Sequence, residues 1–90
     1  MKRARLPGDD LIRAGLDDLA GGVESVPALL VSIGAPRLER LGIGIVTPFP
    51  SPELRLYELL AREDQDSAHS RYNALVRRLV SFERAAECVS

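Results

Sequence analysis

The chain has 90 residues, 46% of them apolar, with twelve basic and thirteen acidic residues for a net charge near −1. That length makes one domain, residues 1–90, which buries roughly 60–65% of its unfolded surface, and the apolar fraction excludes a disordered chain. The balanced charge supplies no overall pull toward nucleic acid or membrane, the lone Cys88 excludes an intrachain disulfide or a cysteine-based zinc site, and no apolar run approaches the ~18 residues of a membrane span.

Met1–Gly8 reads as a flexible lead-in, basic at Lys2, Arg3 and Arg5 but without the apolar segment of a secretory signal. Asp9 stands where a helix cap is needed, and Ile12, Leu16, Leu19 and Val23 follow at helical spacing. This predicts a first helix over about Asp10–Ala20, ended by Gly21 and Gly22. Ser25 as cap and Pro27 in the first turn start a second helix with Val26, Leu29, Leu30 and Ile33 on one stripe. Gly34 is expected to close it, and Pro36 to open a separate helical turn over Pro36–Leu41.

Ile43–Pro52 changes character. Ile43, Ile45 and Val46 are β-branched, and Pro48, Pro50 and Pro52 push the residue before each of them to extended backbone. The segment reads as an extended strap held on the helices through Ile45, Val46 and Phe49. Ser51 and Pro52 then give a cap and a first helical position for a third helix, about Pro52–Arg62. Leu54, Leu56, Tyr57, Leu59, Leu60 and Ala61 run most of the way round it, which predicts burial on two sides.

Asp66 is expected to cap the last and longest helix. Ala68, Tyr72, Leu75, Leu79, Phe82, Ala86 and Val89 recur there at steps of four and three, a narrow seam sustained to the C-terminal end. The expected fold is therefore all-α: about four helices and a short helical turn, the Pro-rich strap Ile43–Pro52, and the long C-terminal helix as axis.

The candidate chemistry is sparse. Val76 and Val80 lie off the seam, and with the two-sided third helix they suggest more apolar surface than one small core hides. The interface candidates are thus Leu56, Leu60, Tyr72, Val76 and Val80. Arg71, Arg77, Arg78 and Arg84 fall on the same helix and are the candidates for a phosphate-contacting stripe, although Glu83 and Glu87 share that helix and no aromatic is interleaved. Glu63, Asp64 and Asp66 cluster in a turn that lacks the calcium-loop pattern, so they read as capping and solubilising acids, and no metal or cofactor is expected.

Arg62 and His69 are separated by six residues. This spacing resembles the Arg-to-His motif of HEPN-type ribonucleases, all-helical proteins often found in toxin–antitoxin pairs. The resemblance spans only Arg62–His69 and implies His69 as general acid or base and Arg62 as phosphate holder.

The leading expectation is a non-enzymatic protein–protein interaction module in the cytoplasm, self-associating or serving as a small regulatory or antitoxin-like subunit. The alternatives are a nucleic-acid binder using the four arginines and a metal-independent ribonuclease using Arg62 and His69.

Overall fold

The structure, a computed structural model, describes residues 6–45 and 47–89. In chain order it has α1 (Asp9–Ala20), α2 (Val26–Arg40), α3 (Pro52–Glu63), a 3₁₀ turn (Gln65–Ser67) and α4 (Ala68–Val89). Among the described residues there is no strand, so the fold is all-α, with the long C-terminal helix in place. No described helix is long and apolar enough to cross a membrane.

The central element is α2, where α4 had been expected. It contacts α1, α3 and α4, and Ala28, Leu29, Leu30, Val31 and Leu38 are fully buried along it. This position explains the largest departure from expectation. α2 does not stop at Gly34 but runs through Gly34 and Pro36 to Arg40, absorbing the separate turn expected over Pro36–Leu41. A proline inside a helix costs about 3 kcal/mol and a glycine about 1 kcal/mol. Each large aliphatic buried on α2 contributes about 1.5–3 kcal/mol, so surrounding helices override the local breakers.

Glycine also sets two helix crossings. Gly15 is buried where α1 meets α2, and a Cβ there would lie 2.5 Å from Val31 Cγ2 and strike the Pro27 carbonyl. Gly34 is buried where α4 crosses α2, and a Cβ there would lie 2.9 Å from Leu79 Cδ1.

The helix ends follow the expected logic with shifted residues. Ser25 caps α2, its Oγ accepting from the Ala28 N–H at 3.2 Å. The residue at the start of α1 is Gly8 in a left-handed conformation, so Asp9 is not the cap; its carboxylate pairs with Arg13 one turn on, at 3.6 Å. Ser51 occupies the cap position of α3 at φ 47 with no side-chain cap bond, and Pro52 takes the first turn as expected. Asp64, rather than Asp66, caps the 3₁₀ turn that feeds α4, accepting from the Asp66 N–H at 3.2 Å.

The strap between α2 and α3 packs Ile43, Ile45 and Phe49 on the core; Val46, expected to pack with them, lies outside the described residues. Its polar anchor is the buried Ser32, which accepts from the Phe49 N–H at 3.1 Å and donates to the Ala28 carbonyl at 2.9 Å. Arg55 lies 5.9 Å over the Phe49 ring and makes two 3.0 Å hydrogen bonds to Glu24, tying strap, α3 and the α1–α2 loop together. Of the expected lead-in over 1–8, Met1–Arg5 lie outside the described residues, and Leu6 packs against the core.

Candidate functional site

The seam of α4 is mostly the chain's own core. Ala68, Leu79, Phe82 and Ala86 are buried, Tyr72 and Leu75 pack against the buried cluster, and only Val89, at the end, is exposed. On α3, Leu56 and Leu60 are fully buried. Two residues named as interface candidates are therefore core residues of the folded chain.

What remains open is a neighbouring stripe. Leu54 is 61% exposed and Tyr57 38% exposed on α3. The Tyr57 ring meets the Tyr72 ring of α4 at a centroid distance of 5.8 Å, tilted by 55°, an arrangement favourable for two aromatic quadrupoles. Val76 and Val80 follow Tyr72 at one-turn intervals, half-buried, and among the described residues they stand outside the apolar set packed on the core. Leu54, Tyr57, Tyr72, Val76 and Val80 thus form an apolar ridge across α3 and α4. The Tyr72 hydroxyl is pushed above the usual phenol value by burial and by the nearby Glu53 carboxylate.

Leu54 and Tyr57 were not singled out in the sequence because they alternate with Leu56 and Leu60. The available signal was angular: 54, 57 and 61 share one helical stripe, and 56 and 60 another.

The four arginines of α4 do not make one free surface. Arg71 pairs with Glu63 of α3 at 2.9 Å, and Arg78 reaches Asp10 of α1 at 3.8 Å. Arg77 and Arg84 are exposed, with no ion pair among the described residues.

Arg62 and His69 are placed on separate helices with different neighbours. Arg62 lines a shallow open depression with Glu58, Ala61 and Gln65, and its charge acts on Glu24, helping Arg55 to hold that carboxyl below its usual value. His69 Nε2 lies 3.3 Å from the Asn73 amide one turn along α4. No hydrogen bond among the described residues joins the pair or brings a third polar side chain between them.

The most buried charge is Glu83, 4% exposed, at the α2–α4 crossing. Desolvation pushes its carboxyl above the usual range, against the pull of Arg37 at 3.5 Å, with Glu87 adding to the rise. Arg37 itself is raised chiefly by its hydrogen bond to Glu87, at 3.1 Å through Nε. Both acids therefore face one guanidinium, which binds the outer one more closely.

Among the described residues no group of three or more His, Cys, Asp and Glu is arranged to hold a metal ion. Cys88 is an exposed free thiol. Compared with protein-family models, curated proteins and solved structures, the chain has no match in any of the three.

Proposed function

We propose that this chain is a non-enzymatic protein–protein interaction module, self-associating or acting as a small regulatory, antitoxin-like partner subunit. The observation that carries the reading is the ridge of α3 and α4, where exposed Leu54 and Tyr57 continue into Tyr72, Val76 and Val80. Single exposed apolar residues are ordinary on a monomer, but an aligned set spanning two helices is the kind of patch that partners cover. Tyrosines at its centre suit a binding surface, since each ring combines a large apolar face with a hydroxyl.

The competing readings draw less support. Two of the four arginines offered for nucleic acid are engaged by carboxylates of the same chain. Arg62 and His69 have separate neighbours. A reducing, cytoplasmic setting belongs to the same proposal and fits the free thiol of Cys88.

The experiment is native mass spectrometry on the tagged protein recovered at low salt from its own host, beside the Val76→Glu/Val80→Glu variant. The expected result is a defined complex that the variant loses while keeping its helical circular dichroism. A bare monomer, or a complex that the variant retains in full, overturns the reading.

A further inference from the structure

The most buried carboxyl of the fold holds the weaker share of its cation. We propose that Glu83, Arg37 and Glu87 form a pH-sensitive fastening between α2 and the C-terminal end of α4. Glu87 occupies the guanidinium that Glu83 would need to stay buried as an anion, so the crossing is tight while Glu83 is protonated and loosens when it ionises. This device is independent of what covers the α3–α4 ridge.

The ground is geometric. Arg37 stands on α2 about one turn beyond Gly34, and Glu83 and Glu87 stand one turn apart on α4, so all three meet where the helices cross. Arg37 grips Glu87 with two prongs: Nε donates to Oε2 at 3.1 Å, and Nη2 lies 2.9 Å from Oε1. Glu83 is left with Nη1 at 3.5 Å. Burial runs the other way, since the Glu83 side chain is 6% exposed and that of Glu87 50%. Water can therefore solvate the acid that already has the better cation contact. The acid with the poorer contact has its other oxygen against Gly34 and sits beside Leu79 of the preceding turn.

A carboxylate held out of water is tolerated only where a cation and hydrogen bonds replace the lost hydration. The charges acting on Glu83 are Arg37 from α2, which favours the anion, and Glu87 from its own helix, which opposes it; desolvation outweighs both. Two carboxyls this close to one guanidinium titrate as a coupled pair, and the proton is retained on the one that water reaches less. Once that proton leaves, Glu83 has two ways to regain a partner. It can draw Arg37 off Glu87, or it can reach water by parting α4 from α2. Either response loosens the end of α4. Because the folded state favours neutral Glu83, the fastening is fully present below the ordinary carboxyl value and is lost as pH rises through the folded value.

The test is NMR on the full chain from pH 3.5 to 8, comparing wild type with Glu87→Gln, Arg37→Gln and Glu83→Gln, each checked for helicity by circular dichroism. The Glu83 side-chain carboxyl carbon reports its titration, and amide protection factors report the fastening. We expect the Glu83 midpoint to fall in Glu87→Gln, which frees the guanidinium, and to rise in Arg37→Gln, which removes it. In wild type, amides over residues 82–89 are expected to lose protection by about threefold or more across the Glu83 titration, beyond any change in Glu83→Gln over the same range. Amides of α3 should show no such excess. A Glu83 midpoint that stays put in Glu87→Gln shows that Glu87 does not withhold Arg37, and overturns the mechanism. Equal pH dependence of protection at the end of α4 in wild type and Glu83→Gln shows that the charge does not loosen the crossing, and overturns the fastening. If Arg37→Gln fails to fold, the Glu87→Gln titration and the exchange comparison still decide both points.

Discussion

Glu83 closes on α2 at Gly34: its Oε2 stands 2.8 Å from where a Cβ at that glycine would lie, and its Oε1 lies 3.5 Å from the Arg37 guanidinium. A glycine on the central helix thus makes room for a carboxylate on the long one, and burial raises that carboxyl above its ordinary value. Because the folded state favours the neutral form, this group's contribution to stability is fully present at acid pH, below the unfolded carboxyl value. It is lost as pH rises through the folded value. Glu83→Gln keeps the shape without the charge. The variant is expected to melt above wild type at neutral pH, with the gap closing near pH 4. Parallel thermal melts at the two pH values check this; a variant less stable than wild type at neutral pH shows that the Arg37 attraction outweighs desolvation.

Gly15 is the more demanding of the two buried glycines. A Cβ there meets the Pro27 backbone carbonyl and Val31, neither of which is the free end of a flexible side chain. Gly15→Ala gains about 1 kcal/mol of helix propensity, but separating α1 from α2 is expected to exceed that gain. The expected net effect is a melting temperature lower by roughly 5–10 °C. A variant as stable as wild type shows that α1 shifts on α2 without loss of packing.

These crossings also mark where sequence pattern stops being informative. Ser25, Pro27 and Pro52 act locally, through a cap bond or a preset backbone angle, so helix starts near them were legible. The seam of α4 was legible because one periodic stripe needs one covering surface, and Ala68, Leu79, Phe82 and Ala86 are buried by it. Gly34 and Pro36 carry breaker signals that are also local, and they misled, because α2 is buried by three helices whose positions no local signal encodes. On α3 the apolar residues ran most of the way round, and counting them did not separate Leu56 and Leu60, which the other helices cover, from Leu54 and Tyr57, which they do not.

Ser32 offers a direct probe of the strap. Its buried hydroxyl is the acceptor for the Phe49 N–H and a donor to the Ala28 carbonyl. Ser32→Ala leaves that N–H without its acceptor, a loss of about 1–3 kcal/mol where the group stays shielded from water. Much of the effect is expected near the strap. The Phe49 amide, protected in wild type, should exchange with solvent at least roughly tenfold faster in the variant, while amides in the middle of α2 slow or quicken far less. Equal exchange at Phe49 in both proteins shows that its apolar packing and the Arg55 guanidinium hold the strap without this bond.

Leu60 and Leu54 make the sharpest contrast on α3, the same side chain in opposite settings: the first is fully buried and the second 61% exposed. Leu60→Ala removes a packed side chain and leaves a cavity, so it is expected to lose roughly 2–5 kcal/mol of stability in a denaturant titration. Leu54→Ala removes the same atoms from solvent and is expected to stay within about 0.5 kcal/mol of wild type in monomer stability. If the ridge is an interface, the order reverses in association measurements on folded protein: Leu54→Ala weakens the complex although its own fold is intact. Concentration is the control that separates the two effects, since a dimer's apparent stability rises with protein concentration while a monomer's does not. A Leu54→Ala variant with unchanged association throughout would confine the interacting surface to α4 and remove α3 from it.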